Sequence, residues 1–362
     1  MKKINLITYR TGKNPCSHNL FLFIISCIIF SACAKIKNNP GLPSDTTTHS
    51  KPDTTNHTIP DTTIYIAGDN GTNPVLWKNG IADTLSPTKG TAVQVIVSGS
   101  DVYVSGTYQV IENIASPGVS NGPITGQNVY WKNGVPNDLG EFGVAGGSGY
   151  STAGNNYSIT VVGNTVYHSG LIYSVGNDIY IAGSDSAADA VYWKNDTLHV
   201  VEPYFGHGST RPSIMCLFVS GNDVYMGGTF FTAAYWKNEE RTVLYSTAAG
   251  YDARIWQVTS IFVSGNDVYA AAYREGFVKG VMQKIPGYWK NGVEYDLPLD
   301  SAADGYTSSI FVSGSDVYVA GYFATSTPTG QLLTAVYWKN GVETILSSPG
   351  IARSIYVVNA HG

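Results

Sequence analysis

Acidic side chains are the residues of this sequence whose type could support a reaction. Glycoside hydrolysis needs two carboxyl groups held roughly 5–9.5 Å apart across the scissile bond. The acids that fall in segments typical of loops are Glu112, Glu141, Asp252, Glu275 and Asp304. They are scattered along the chain, and their spacing pairs none of them. A polysaccharide-active enzyme, a glycosidase or lyase, is therefore the alternative hypothesis rather than the leading one.

Other catalytic patterns are missing from the sequence. It has no nucleophile elbow, zinc-protease motif, phosphate loop or calcium loop, so we expect no catalytic residues, no cofactor and no metal site. Cys216 aligns with Ser260 and Ser309 of the repeat described below, which predicts a small buried residue rather than a nucleophile. One Asp and one Lys recur in most repeats beside tight turns, which predicts exposed Lys–Asp pairs.

The elements that must position any site come from an internal repeat. Trp-Lys-Asn occurs at Trp77, Trp131, Trp193, Trp236, Trp289 and Trp338, with spacings of 54, 62, 43, 53 and 49 residues. A period near fifty residues, built of short apolar runs and tight turns, is typical of a β-propeller blade. The sequence therefore predicts an all-β fold.

The last complete unit shows how one blade is built. Strands are predicted at 310–313, 316–321, 335–339 and 342–346, and Asn340-Gly341 is a strong hairpin signal because both turn residues need positive φ. Similar units predict six four-stranded blades.

Two features of the repeat concern the ring as a whole. A doubled hairpin at 159–183 makes seven blades the alternative. The first unit lacks its first strand, and 354–358 resembles that strand at the other end of the chain. We therefore expect 354–358 to pair with 64–68 and close the ring.

The start of the chain reads as an export signal. Basic residues precede an apolar run from Leu20 to Ala32, which is too short at about 20 Å to cross a bilayer core of about 30 Å. Small residues before Cys33 resemble a bacterial lipoprotein box. We predict a signal peptide at 1–32, lipid on Cys33 with a disordered tether over 33–60, and the propeller at 61–362. The expected location is the bacterial envelope, as an outer-membrane lipoprotein facing the periplasm or the surface.

Charge and cysteine content restrict the partners. Removing residues 1–32 removes four positive charges and no acid, so the net charge goes from −5 to −9. An acidic domain lacks the basic footprint that nucleic-acid binding requires. Of the four cysteines only Cys216 lies in the propeller, so no disulfide framework is expected there. The expected partners are the membrane, through the lipid, and a glycan or an envelope protein.

A segment after Trp131 resembles a known extracellular repeat family. Asn133-Gly134-Val135-Pro136-Asn137-Asp138-Leu139-Gly140 is similar to the hairpin and Asp-Leu-Gly of the family named for a His-Ala-Phe signature (HAF repeats). Ala335-Val336-Tyr337-Trp338 and Ser309-Ile310 occupy comparable places. The resemblance implies a propeller-like extracellular domain and brings no catalytic residues.

The two faces of the predicted ring differ in sequence. Turns between first and second strands, and between third and fourth, are short and nearly identical, whereas the remaining connections vary in length and content. Functional sites favour variable loops on a constant scaffold. We therefore predict a binding or scaffolding module whose ligand contacts come from the variable face. The candidate contact residues are Tyr108, Tyr204, Phe205, His207, Phe231, Trp256, Phe277, Tyr306 and Phe323.

Overall fold

Short hairpins built on Asn-Gly and Gly-Ser or Gly-Asn turns dominate the computed structural model of the chain. Asn133 and Gly134 adopt φ values of 52° and 80°, the left-handed conformation that such turns require. The structure describes residues 62–111, 124–143, 158–162, 165–169, 171–175, 177–184, 189–195, 197–203, 211–244, 255–299 and 303–359. The predicted signal peptide, Cys33 and the tether lie outside these ranges.

The described residues form β-strands joined by short turns and connections. In chain order these are β1 (Thr62–Asp69), β2 (Pro74–Lys78), β3 (Ile81–Thr84), β4 (Gly90–Ser98), β5 (Asp101–Ile111), β6 (Ile124–Lys132), β7 (Val135–Gly143), β8 (Ser158–Val162), β9 (Thr165–Ser169), β10 (Leu171–Val175), β11 (Asp178–Ser184), β12 (Ala190–Lys194), β13 (Thr197–Glu202), β14 (Ser213–Ser220), β15 (Asp223–Phe230), β16 (Thr232–Lys237), β17 (Glu240–Val243), β18 (Ile255–Ser264), β19 (Asp267–Val278), β20 (Val281–Lys290), β21 (Val293–Asp296), β22 (Ala303–Ser313), β23 (Asp316–Thr327), β24 (Gly330–Lys339), β25 (Val342–Ser347) and β26 (Ile351–Asn359). Within the described ranges, no helix has the length and apolarity to cross a bilayer.

Six four-stranded antiparallel sheets are arranged in a ring, which makes the domain a six-bladed β-propeller. Blade 1 is β26-β1-β2-β3, blade 2 is β4–β7, blade 3 is β10–β13, blade 4 is β14–β17, blade 5 is β18–β21 and blade 6 is β22–β25. The closure prediction is confirmed, because β26 pairs with β1 in a register that places Ile355 opposite Ile66. Blade 1 is therefore completed by strands from both ends of the domain.

The doubled hairpin at 159–183 is resolved by the pairing of its strands. Its second copy, β10 and β11, forms the inner half of blade 3, whereas its first copy, β8 and β9, is a separate two-stranded sheet. Strand β8 contacts both β4 and β10, so this hairpin lies between blades 2 and 3. It adds a two-stranded element beside the six complete blades.

The repeated aromatic residues fill the spaces between blades. The tryptophans of blades 1, 2, 4, 5 and 6 are fully buried, and the tyrosine of each second strand in blades 2 to 6 is also buried. Side chains of adjacent strand residues point to opposite faces of a sheet, so neighbouring blades cover both. Trp338 of blade 6, for example, packs with Tyr269 and Leu297 of blade 5. The repeated aromatics are therefore packing residues of the scaffold.

A β-bulge interrupts the inner strand of five blades. In blade 6, Thr307 pairs with Gly321 and Ser309 pairs with Ala320, which leaves Ser308 as an extra residue between them. The bulged backbone lies so close to Gly321 that a Cβ there would overlap the carbonyl oxygen of Tyr306. Glycine at position 321 is thus explained by a close approach of two strands, whereas blade 5 has Ala272 at the equivalent position.

Candidate ligand-binding cavity

The turn face of the ring carries one hydrogen-bonded cluster per blade. In blade 6, Asn340 donates from Nδ2 to Asp316 Oδ1 at 2.7 Å and accepts the backbone N–H of Val317 at 2.8 Å. Lys339 lies 2.9 Å from Asp316 and 5.3 Å from the centroid of the Tyr318 ring. The first and third turns of a blade therefore lie on the same face, as expected from strand direction.

The predicted Lys–Asp pairs are confirmed in blades 2 to 6. Their Nζ–Oδ distances lie between 2.7 and 3.0 Å, and the side chains are partly exposed. In blade 6 the hydrogen bonds from Lys339 and Asn340 lower the pKa of Asp316 below its ordinary value. The chemistry is the same in each of these blades, so this face is a poor candidate for a specific site.

A cavity of about 650 Å³ lies where the inner strands meet at the centre of the ring. Each of the bulged inner strands contributes a bulge residue to the lining, and blade 5 adds Gln257 from a second irregularity. The bulge residues differ from blade to blade. They are Arg353, Val93, Met215, Thr259 and Ser308, in blades 1, 2, 4, 5 and 6 respectively. A bulge re-aims a side chain without changing the rest of the ladder, so a constant fold presents different chemistry at each position.

An aromatic collar lies at the turn-face end of this cavity. It consists of one ring from each of blades 3, 4, 5, 6 and 1, all at the same register position: Tyr173, Phe218, Phe262, Phe311 and Tyr356. Consecutive ring centroids are 4.7 to 5.1 Å apart. Burial raises the pKa of Tyr173 to about 12, so its hydroxyl is neutral. The collar makes this end of the cavity narrow and apolar.

Serine side chains form hydrogen bonds between neighbouring inner strands, on the loop-face side of the collar. Ser309 Oγ accepts the backbone N–H of Ile355 at 3.2 Å, and Ser354 Oγ accepts that of Val95 at 3.2 Å. These hydrogen bonds satisfy backbone N–H groups at the inner edge of each blade, where no further strand pairs with them. Cys216 pairs with Gly227 where Ser309 pairs with Ala320, and burial raises the pKa of its thiol to about 12. A thiol that stays protonated is a poor nucleophile, as the alignment predicts.

Three tyrosines lie together at the loop-face end of the cavity. Tyr306 stacks on Tyr322 with centroids 4.8 Å apart and planes 10° apart, and Tyr273 meets Tyr306 edge-on at 5.0 Å. Lys284 donates a hydrogen bond from Nζ to the Tyr306 hydroxyl at 2.9 Å. All three rings are on strands of blades 5 and 6 and line the cavity. We call them the tyrosine cluster.

Arg353 is the single charged residue that lines the described part of the cavity. Its Nη2 donates to Asp69 Oδ2 at 3.1 Å, and Asp69 is itself held by the backbone N–H of Gly71 at 3.0 Å. Its Nε atom is buried and has no acceptor among the described residues. The described lining contains no carboxylate, so the two acids of a glycosidase are not found there.

The acids of the alternative hypothesis lie elsewhere or outside the described residues. Asp304 accepts the backbone N–H of Lys284 at 2.9 Å, so one of its oxygens holds the blade 5 hairpin. Glu275 is on β19 and pairs with Lys284 of β20. Glu112 and Asp252 are not described, and neither is the side chain of Glu141. No three His, Cys, Asp or Glu residues cluster in the described part of the chain.

Of the nine candidate contact residues, Tyr306 alone is among the described lining residues of the cavity. Phe231 and Phe277 are exposed at the ends of hairpins in blades 4 and 5. Tyr108 packs against Trp131 and donates a hydrogen bond to Asp138 at 2.9 Å. Burial, followed by that bond, raises the pKa of Tyr108.

One candidate needs correction. Phe323 is 5% exposed and meets Trp338 edge-on, so it packs between blades 5 and 6 and offers no face to a ligand. Trp256 is the second residue of β18, and its contact with a ligand stays a prediction. The side chain of Trp256 falls outside the described set. Tyr204, Phe205 and His207 also lie outside it.

Sequence reasoning missed Tyr273, Tyr322 and Arg353. A usable signal exists for the tyrosines, because each lies four residues after the repeated tyrosine of a second strand. That position differs between blades: it is Asp69, Thr107, Ser184, Thr229, Tyr273 and Tyr322 in blades 1 to 6. Variation within an otherwise constant strand would have indicated a site.

Known proteins resemble this chain only weakly. No protein-family model matches it, and no curated protein matches it either. The resemblance to HAF repeats therefore stays a prediction.

Among solved structures, an exo-1,5-alpha-L-arabinanase from a bovine ruminal metagenomic library is similar at 9% identity and a TM-score of 0.33, with 71% of this chain and 97% of that chain covered. A triple arginine-to-alanine mutant of AofleA from Arthrobotrys oligospora is similar at 11% identity and a TM-score of 0.36, with 80% and 82% covered. Identities and TM-scores this low give no information about a ligand of this chain.

Proposed function

We propose that this protein is a lipid-anchored binding module of the bacterial envelope that takes a glycan into its central cavity from the loop face. The observation that carries this proposal is the tyrosine cluster, in which Tyr273, Tyr306 and Tyr322 line the cavity together. Each ring combines an apolar face with a hydroxyl at its edge. A sugar ring has the matching pattern of apolar C–H faces and polar hydroxyl edges.

The fixed positions of the three tyrosines support the binding of a single sugar unit of the glycan. The three tyrosines are held by ladder strands, and Lys284 fixes the hydroxyl of Tyr306. A concave site lined by aromatics with a few polar groups is the usual form of a small-ligand pocket. The exposed hairpin ends at Phe231 and Phe277 are available to the same ligand or to an envelope protein. The glycan is favoured because the cavity, rather than these ends, gathers the aromatic rings.

The test is a glycan array probed with the mature protein, scored for both retention and cleavage. We expect retention without cleavage, and we expect Tyr306→Ala to weaken it at least about tenfold, or about 1.4 kcal/mol. Tyr295→Ala is the matched control, because Tyr295 is a partly exposed, stacked tyrosine of blade 5 outside the cavity lining. Equal loss in both variants, or no retention by the wild type, would contradict the proposed site. Released sugar would instead favour the glycosidase or lyase.

The anchor is tested separately from the ligand. Cys33 would carry lipid, and about 27 tether residues would hold the propeller about 30 Å from the membrane. We expect Cys33→Ala to move the protein from the membrane fraction to the soluble fraction and to abolish labelling by a fatty-acid probe. Ser31→Ala, which keeps a small residue before the cysteine, is the control and should stay anchored. A Cys33→Ala variant that remains membrane-bound would rule out the lipid anchor.

A further inference from the structure

We infer that Arg353 binds a single carboxylate of the ligand, so the glycan is an acidic one that contains a uronic acid. This inference rests on the proposed function and names the class of its ligand. Arg353 occupies the bulge of β26, the position at which each bulged blade places its own residue into the cavity. The other bulge residues are Val93, Met215, Thr259 and Ser308, so the only cation of the series is in blade 1.

The guanidinium of Arg353 has donors left for a ligand. A guanidinium has five N–H donors arranged for bidentate contact with a carboxylate. The described contacts show one bond, from Nη2 to Asp69 Oδ2, and the side chain is 37% exposed. The Nε donor is buried without an acceptor among the described residues, a state that costs free energy unless something pairs it. The other N–H groups, on Nη1 and Nη2, have no described partner besides Asp69, and they are the donors that an incoming oxyanion meets.

Asp69 holds the Arg353 side chain in place but leaves some of its N–H groups able to bind a ligand. Its side chain is 11% exposed, and its second oxygen accepts the backbone N–H of Gly71 at 3.0 Å. Asp69 is thereby fixed in the turn that follows β1, and it can hold the guanidinium in one orientation. An arginine held by one acid can still bind a second carboxylate through its remaining N–H groups.

The charge balance favours a carboxylate over a phosphate. Arg353 is the one positive charge in the described lining and Asp69 already neutralises part of it, so a singly charged carboxylate fits the site better than a dianion. A phosphate monoester carries about −1.5 to −2 at neutral pH and needs several cations or a nest of N–H groups. The net charge of −9 on the mature chain does not prevent binding, because salt screens it beyond roughly 8 Å.

The sugar ring that bears the carboxylate has a tyrosine beside it. Tyr322 and Arg353 line the same cavity, and the charge of Arg353 acts on the Tyr322 hydroxyl, although burial remains the main cause of that group's raised pKa. Tyr306 stacks on the Tyr322 ring and presents the adjoining part of the wall. A uronic acid ring that packs on this wall would place its carboxylate toward Arg353.

The experiment compares two probes that differ in one charge. Titration calorimetry of the mature protein would use methyl α-galacturonoside, which carries one carboxylate, and its methyl ester, which carries none. We expect the acid to bind at least about tenfold more tightly than the ester. Arg353→Gln should weaken acid binding about tenfold to a hundredfold and change ester binding less than about twofold. Arg353→Lys should recover part of the preference, because it keeps the charge but loses the fork.

Controls separate this inference from the proposed function. Lys339→Gln makes the same charge change on the turn face and should leave both affinities unaltered. Because Arg353→Gln leaves Asp69 unpaired, the double variant with Asp69→Asn tests whether lost affinity reflects poor folding. It should fold like the wild type and still lose the acid preference. If neutral glycans bind as well as acids, or galactose 1-phosphate binds more tightly than the galacturonate probe, the inference is overturned and the binding module stands. If no glycan binds at all, both fail.

Discussion

Closure of the ring by β26 makes a quantitative prediction for two isoleucines of blades 1 and 6. Ile355 is 3% exposed and packs with Ile66, Trp77 and Tyr318, whereas Ile345 of β25 is 50% exposed. The same change to alanine at each position therefore removes the same atoms from very different surroundings. The difference in unfolding free energy between the two variants measures the packing at the closure itself.

The expected magnitudes differ by several kcal/mol. Truncating a fully buried isoleucine to alanine costs about 2–5 kcal/mol, because a cavity remains in addition to the lost transfer free energy. The free-energy cost of a substitution at a surface position is usually within about 0.5 kcal/mol, and Ile345 is 50% exposed. Typical domains are stable by about 5–15 kcal/mol in total. Ile355→Ala should therefore remove a large share of the stability of the domain.

The assay is urea unfolding of the mature protein, followed by tryptophan fluorescence. Trp77 is buried in the same cluster as Ile355, so its emission should report the loss of blade 1 packing. We expect a clearly lower midpoint for Ile355→Ala and a nearly unchanged one for Ile345→Ala. A variant that ends before β26 should fail to fold cooperatively and should aggregate, because β1 would become an open sheet edge. Equal midpoints for the two alanine variants, or a truncated protein of normal stability, would refute closure by β26.

Two further predictions concern titratable groups. The folded pKa of Asp316 is lowered from 3.8, so its ion pair stabilises the folded state above about pH 4, and this contribution disappears as the pH falls through the lower folded value. The difference in melting temperature between wild type and Asp316→Asn should therefore be present at pH 7 and shrink toward pH 3. A pH-independent difference would contradict this. Cys216 is half-buried in the cavity wall and burial raises its pKa to about 12, so a thiol reagent at pH 8 should label it much more slowly in the native protein than in urea; equal rates would contradict this.

The blades could be predicted because their signals are local. Asn-Gly turns, alternating apolar residues and the repeated Tyr and Trp each act within a few residues of the chain. The closing pair of strands followed from counting, because one unit lacked a first strand and the chain end supplied one. The ion pairs of the turn face followed from strand direction alone. These features needed no knowledge of how one blade packs on the next.

The cavity could not be predicted because its residues depend on register. The predicted closing strand began at Ser354, one residue after Arg353, since a bulge residue has no partner and breaks the alternation on which strand prediction relies. Tyr273 and Tyr306 come from adjacent blades, and only the ring brings them to 5.0 Å. The sequence predicts Tyr108, Phe277 and Phe323 as ligand contacts in variable loops, but the structure places them in strands of three different blades. Phe277 is exposed there and Phe323 is buried.

Ring closure and the proposed ligand site depend on each other through blade 1. Arg353 lies on the last strand of the domain and Asp69 on the first, and their hydrogen bond of 3.1 Å exists only when β26 pairs with β1. The bulge residues of the other blades lie on strands that pair with the next strand of the chain, and they include no cation. A ligand that binds Arg353 would favour the closed ring and so stabilise the fold by linkage. A repeat protein can in this way build an asymmetric site from a repeated scaffold, because one blade is completed by strands from both ends of the domain.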